Sequence, residues 1–399
     1  MNKINVYSEI GKLKEVLVHT PGDEIRRVAP ARLDELLFSA ILEADEAIEE
    51  HKRFVQILLD KGIKVIQLDD LVVETWKKAT EEQRDAFIEK WLDEAEPVLT
   101  DELRKKVKAF LLSQKTTKKM IRIMMAGILK TELGVELDRD LVVDPMPNLY
   151  FTRDPFASAG NGISLNNMKY VTRKRETIFS EFVFKIHPNY KDTPHWFDRL
   201  DNGNIEGGDV FIYNKKTLVL GVSERTNKEA ILTIANKIKN NDQAKFERIV
   251  AINVPPMPNL MHLDTWLTMM DKDKFLYSPN MMKVLKFWEI DLTKDIEMVE
   301  CEKSLPEMLK SITGLDPILI PIAGEGASQL SIDIETHFDG TNYLTIEPGV
   351  VVGYSRNVLT EKALEKAGVK VLSFKGNQLS LGMGSARCMS MPLVREDLE

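Results

Sequence analysis

Cysteine is scarce in this chain: Cys301 and Cys388 are the only two in 399 residues. Two thiols cannot build a disulfide framework, and no CxxC or Cys/His cluster offers structural zinc a site. A reducing, cytoplasmic setting is therefore expected. Long apolar runs are missing as well. No stretch of about 18 apolar residues exists, so no membrane-spanning helix is expected. The opening residues, MNKINVYSEIGKL, lack the apolar region of a secretory signal. Nor is there an excess of positive charge: 54 Lys and Arg against 62 Asp and Glu leave a net charge of −8. That balance argues against nucleic acid as a partner and suits a small cationic substrate.

What is present is the composition of a soluble globular protein, 43% hydrophobic and 29% charged. The length fits two or three ordinary domains, or one large domain with an insertion. The segment Leu59-Asp60-Lys61-Gly62-Ile63-Lys64-Val65 resembles Glu365-Lys366-Ala367-Gly368-Val369-Lys370-Val371. Each reads as a helix end, a glycine cap and a buried strand. Turn residues predict hairpins at 5–19, 150–166, 209–222, 264–278 and 342–354. Helical stretches at 39–61, 173–185, 227–240, 302–313 and 358–367 follow them. Return strands are then expected at 63–68, 195–198, 248–254, 317–322 and 369–374. Five units of hairpin, helix and strand suit a closed or stacked arrangement. Residues 70–142 break the pattern. They have helix composition and a capping box at Thr80 and Gln83. They read as an inserted helical domain, with 1–69 and 143–399 forming the α/β domain.

Four polar clusters fall near the entry strands of units two to four and at the end of unit five. In Asn148-Leu149-Tyr150-Phe151-Thr152-Arg153-Asp154-Pro155, the aspartate can be a structural ion pair with Arg153 or a cation ligand in a pocket. In Glu206-Gly207-Gly208-Asp209, paired glycines permit a close approach. In His262-Leu263-Asp264, the histidine can serve as a general acid/base beside a substrate-binding aspartate, or the pair can contribute to a metal site. The preceding loop, Val254-Pro255-Pro256-Met257-Pro258-Asn259, reads as a rigid support for it. In Gly382-Met383-Gly384-Ser385-Ala386-Arg387-Cys388, a thiol follows a glycine turn. Arg387 beside it favours thiolate, the nucleophilic form. Cys301 lies between Glu300 and Glu302, a poor setting for a nucleophile. His19, His51, His187, His195 and His337 read as structural.

Together these motifs, FTRDPF at 151–156, EGGD at 206–209, MHLDT at 261–265 and MGSARCMSMP at 383–392, resemble the arginine deiminase family, mycoplasmal type. The resemblance implies the pentein fold: α/β, five ββαβ-type units around a pseudo-fivefold axis with a central active site. By its motifs it implies Cys388 as nucleophile, His262 as general acid/base and Glu206 as the carboxylate paired with that histidine. Asp154 and Asp264 are then the carboxylates that grip a guanidinium. Asn148, Arg173 and Arg225 hold the substrate α-carboxylate, and Arg387 lies beside the nucleophile. The implied reaction is hydrolysis of free L-arginine to L-citrulline and ammonia through an amidino-thioether. No metal or organic cofactor is required, and a homodimer is expected. An amidinotransferase of the same fold and a non-catalytic binding protein are the alternatives.

Overall fold

The computed structural model describes residues 3–255, 260–282 and 284–398. Five of its sheets share one pairing scheme: an antiparallel pair whose inner strand also takes a parallel partner. In the second sheet Phe156–Ala159 pairs antiparallel with Gly162–Leu165, which pairs parallel with His195–Phe197. The same scheme joins Val210–Asn214, Thr217–Val222 and Arg248–Asn253. It recurs in Leu267–Met269, Lys274–Tyr277 and Ile318–Pro321, and in Leu344–Glu347, Val350–Tyr354 and Lys370–Phe374. Parallel neighbours need a crossover, and here a helix supplies it: Thr177–Ile186, Lys228–Lys239, Leu305–Thr313 and Val358–Lys366 respectively.

The first sheet differs from the sequence expectation. Leu13–Val18 does not turn back onto residues 5–9. Its antiparallel partner is Met391–Arg395, and Lys64–Gln67 is its parallel neighbour. Gly11 marks the reason. A Cβ there would sit 2.2 Å from the Glu396 carbonyl oxygen, so the bare backbone is what admits the C-terminal strand. The chain ends are thereby sewn together. Five strands went unforeseen: Phe287–Asp291 and Val299–Cys301, which extend the third sheet to five, Met391–Arg395, and Ile128–Leu129 with Leu141–Val143, a two-stranded sheet inside the segment read as helical. The helix Gln329–His337 was also unforeseen.

The crossover helix of the first sheet, Ala44–Asp60, starts where the Glu43 side chain accepts the Asp45 and Glu46 N–H groups. It buries Ala47, His51, Phe54 and Leu58, one face at helical spacing. The helices Leu68–Lys78, Glu81–Asp93, Asp101–Leu112 and Thr117–Ala126 fill most of the segment read as an insertion, the first beginning two residues before it. Thr80 and Gln83 cap one another reciprocally. These helices join the largest apolar core of the protein. Phe87 stacks on Phe182 with ring centroids 4.2 Å apart. Burial of a phenylalanine contributes about 1.5–3 kcal/mol.

Candidate active site

Each of the five sheets that share the pairing scheme is entered through a polar turn. Asp154 precedes the strand that opens at Phe156, Glu206 to Asp209 precede Val210, and His262 to Thr265 precede Leu267. Asp339 to Asn342 precede Leu344, and Cys388 precedes Met391. Turns preceding equivalent strands carry the titratable groups. Cys388 therefore leads into the sheet of unit one rather than closing unit five. All nine residues singled out from the motifs are 5% exposed or less.

On one side of the cluster stand His262, Glu206, Arg225, Arg173 and Asp154. His262 Nε2 lies 2.9 Å from Glu206 Oε2, and Arg225 Nη1 donates to the same oxygen at 3.1 Å. The Arg225 guanidinium also lies 4.5 Å from the centre of the Tyr170 ring. Arg173 Nη1 donates to Asp154 Oδ2 at 2.8 Å, and its other nitrogens reach Glu176. The cation of Asp154 is thus Arg173. Arg153 instead sends its Nε to the Arg387 carbonyl oxygen at 3.2 Å, and burial pulls its guanidinium down to about 9.

Burial alone would depress the His262 pKa. Asp154, Glu206 and Asp209 overcome that and hold it up at about 9, so the ring is an imidazolium at neutral pH. Glu206 moves the other way. Its burial penalty is outweighed by Arg225, His262 and Arg173, and it stays ionised. The paired glycines have a steric role here. The His262 ring lies against Gly208, where a Cβ would approach Nδ1 to 2.5 Å. Gly208 N–H donates to Asp154 Oδ1 at 3.2 Å, and Asp209 Oδ1 accepts the Leu263 N–H at 2.8 Å. The EGGD turn is therefore the floor on which the HLD turn rests.

On the other side stand Cys388, Asp264, Arg387 and Glu9. Cys388 Sγ is 3.6 Å from Asp264 Oδ2, and Arg387 Nη1 donates to that same oxygen at 2.8 Å. Asp264 Oδ1 is buried and accepts no hydrogen bond from the described residues. Glu9 Oε2 takes the Arg387 Nε and Nη2 groups at 3.3 and 3.2 Å. Burial pushes the Cys388 thiol well up from 9.0; Asp264, Asp154 and Asp339 push the same way, and Arg387 opposes them. The expectation that a neighbouring arginine would favour thiolate meets a counterforce here: three carboxylates and desolvation outweigh one guanidinium that Asp264 and Glu9 already neutralise.

Asn148 Nδ2 donates to the Leu36 carbonyl oxygen at 2.8 Å. Residues 256–259 of the proline-rich loop before His262 lie outside the described residues. Sequence reasoning missed Glu9, Asp339 and Asn342, none of which stands in a motif. It placed Cys301 in an acidic setting. The thiol is indeed pushed up, by burial and then by Glu289 across the sheet. Asp154, Glu206 and His262 present one ligand atom each within 4.8 Å. Their charges are already met by Arg173, Arg225 and one another.

The arginine deiminase family model matches residues 34–395. The arginine deiminase of Metamycoplasma arthritidis is 58% identical over 399 residues, covering 99% of this chain and 98% of the relative. That of Metamycoplasma hominis is 57% identical, covering 100% and 98%. Among solved structures, SxtG, an amidinotransferase from Microseira wollei, covers 99% of this chain and 98% of its own, with a TM-score of 0.56 at 17% identity. Dimethylarginine dimethylaminohydrolase from Pseudomonas aeruginosa covers 95% and 99%, with a TM-score of 0.52 at 13% identity. Those distant likenesses show the mixed α/β fold of the pentein proteins, and the close relatives, matched over nearly their whole length, show more: the chain belongs to the arginine deiminase family.

Proposed function

We propose that the family's reaction, hydrolysis of L-arginine to L-citrulline and ammonia, takes place at this cluster, with Cys388 as nucleophile and His262 as general acid/base. The observation that carries the reading is the buried ring of His262, its Nε2 2.9 Å from Glu206 Oε2, in a cluster that also holds Asp154, Asp264 and Cys388. The substrate guanidinium lies between Asp154 and Asp264, and the free Oδ1 of Asp264 accepts one of its N–H groups. Two carboxylates keep that group cationic and planar. Its positive charge offsets the carboxylates that burden the thiol, so Cys388 releases its proton to solvent when substrate is present.

The Cys388 thiolate attacks the guanidinium carbon. His262 donates its proton to the departing nitrogen, ammonia leaves, and an amidino-thioether remains. Water attacks that carbon, giving one proton to the now neutral His262 and the other to solvent, where the released ammonia takes it up. The thiolate leaves and citrulline is released. This sequence of steps consumes one water and needs no metal or organic cofactor. Arg173, Arg225 and Asn148 hold the α-carboxylate, with Arg387 beside the reacting carbon.

The five polar turns at equivalent strand entries support an arrangement of the five units around a pseudo-fivefold axis, with the site at its centre. Residues 1–69 and 143–399 form the catalytic domain and 70–142 an inserted helical domain. The resemblance supports a homodimer, and the unpaired thiols support a cytoplasmic setting. No helix among the described residues is long and apolar enough to cross a membrane.

Incubation with L-arginine tests the reading. Citrulline and ammonia should appear in equal amounts without an amine acceptor, and Cys388→Ala should form neither. Ammonia-free transfer to an amine would favour an amidinotransferase. The Asp154, Glu206 and His262 grouping keeps one competitor, a metal hydrolase. Activity lost in EDTA but retained after iodoacetamide would establish that competitor.

A further inference from the structure

Asn342 is wholly buried and appears in none of the motifs that identify the family. Its side-chain Oδ1 accepts two backbone N–H groups of the nucleophile turn, Cys388 at 3.0 Å and Ser385 at 3.3 Å. Its Nδ2 donates to the carbonyl oxygen of Asp264 at 3.4 Å. Its own carbonyl oxygen accepts the Arg387 N–H at 3.3 Å, and its N–H is tied to the Asp339 carbonyl at 2.9 Å. The neighbouring Thr341 Oγ1 also donates to the Asp264 carbonyl, at 3.3 Å. The orientation of the amide follows from its partners. Two N–H donors can face only its oxygen, and a carbonyl only its NH2.

The local chain explains why such a partner is needed. Residues 385–389 form a single helical turn, closed by Met389 N–H to the Ser385 carbonyl at 3.0 Å. One turn leaves its N–H groups without intrahelical acceptors. Elsewhere a capping side chain within the same segment serves them. Here the cap arrives from the entry turn of another sheet, and the same amide grips the backbone of Asp264. The nucleophile and the carboxylate 3.6 Å from its sulfur are thus referred to one rigid group.

We propose that Asn342 is a positioning residue that sets the distance between the Cys388 sulfur and the Asp264 carboxylate. The inference rests on the reading of Cys388 as nucleophile and extends it. Asn342 touches neither the sulfur nor a carboxylate oxygen. It acts through the two backbones, and its loss should alter the reaction step more than substrate binding.

The test compares Asn342→Ala and Asn342→Asp with the parent and with Cys388→Ala. Citrulline formation gives kcat and KM, and mass spectrometry gives the pH dependence of iodoacetamide alkylation at Cys388. In Asn342→Ala the two N–H groups lose their acceptor and the turn can draw away from Asp264. We expect kcat to fall about tenfold or more, with KM within about threefold. The alkylation midpoint should move down as the carboxylate recedes. Asn342→Asp keeps the acceptor but adds a negative charge, so its midpoint should move up. Opposite shifts are not produced by general loosening, which circular dichroism monitors. Parental kcat and midpoint in Asn342→Ala would overturn the proposal. If that variant does not fold, an unmoved midpoint in Asn342→Asp would overturn it. Cys388→Ala separates the two levels, since turnover in that variant would refute the nucleophile assignment itself.

Discussion

Adding one methyl group at residue 208 should disable the proposed acid without touching it chemically. Gly208 does not occupy the left-handed region, so alanine brings no backbone strain there. The penalty is the contact alone. An alanine Cβ would lie 2.5 Å from Nδ1 and 2.6 Å from Cγ of the His262 ring, far inside van der Waals contact. The ring must retreat by nearly an ångström. That retreat breaks the 2.9 Å bond from Nε2 to Glu206 and moves the proton away from the leaving nitrogen. A misplacement of this size costs on the order of 100-fold in rate, and overpacking costs about 1–3 kcal/mol of stability. Gly208→Ala should therefore show a kcat about 100-fold down, with KM within about threefold because the two aspartates still hold the guanidinium. Citrulline formation at saturating L-arginine measures the first, and a thermal melt measures the second. NMR titration of His262 should show its pKa falling from about 9 toward 6.5. A folded Gly208→Ala protein with near-parental kcat would refute the claim that this ring must rest on a bare backbone.

Alkylation of Cys388 in the free protein should proceed with a midpoint above pH 9, since burial and three carboxylates raise the thiol. Saturating methylguanidinium should lower that midpoint by about one unit; an unmoved value would reject ionisation assisted by the substrate cation. Glu9→Gln leaves the buried Arg387 guanidinium short of a counter-charge and should cost about 3–5 kcal/mol, read as a fall in Tm; an unchanged Tm would show that Asp264 alone suffices. The pKa of His262 is higher folded than unfolded, so its contribution is complete below pH 6.5 and is lost as pH rises through about 9. That span corresponds to about 3 kcal/mol. The Tm gap between the parent and His262→Gln should thus be widest near pH 6 and narrow by pH 9.5; a gap independent of pH would contradict the linkage.

Much of the fold is legible locally. The hairpin turns at Gly160-Asn161-Gly162, Asn214-Lys215-Lys216, Asp271-Lys272-Asp273 and Glu347-Pro348-Gly349 fall between paired strands. Turn chemistry acts over a few residues, and its signal stays in the chain. Helix periodicity and the Thr80 capping box are equally local. The first hairpin was misread because the true partner of Leu13–Val18 lies nearly 380 positions away at Met391–Arg395. The strands Phe287–Asp291 and Val299–Cys301 were missed for a related reason. Phe287–Asp291 joins the sheet beside Arg248–Asn253, more than 30 positions earlier, and Val299–Cys301 folds back on it through a loop whose turn at Asp291 went unread.

By itself the sequence pointed to the family, and through that resemblance to the reaction class, because four motifs stand in it in the family's order. It also determined most strands and helices, through patterns that repeat at 2 and 3.6 residues. The tertiary structure alone decided the charges. Arg153 adjoins Asp154 in sequence, yet the partner in space is Arg173. Arg387 adjoins Cys388, yet Glu9 and Asp264 claim its guanidinium, and the thiol is raised rather than lowered. Electrostatic energy depends on distance in space and on the loss of water, and neither is written in residue order.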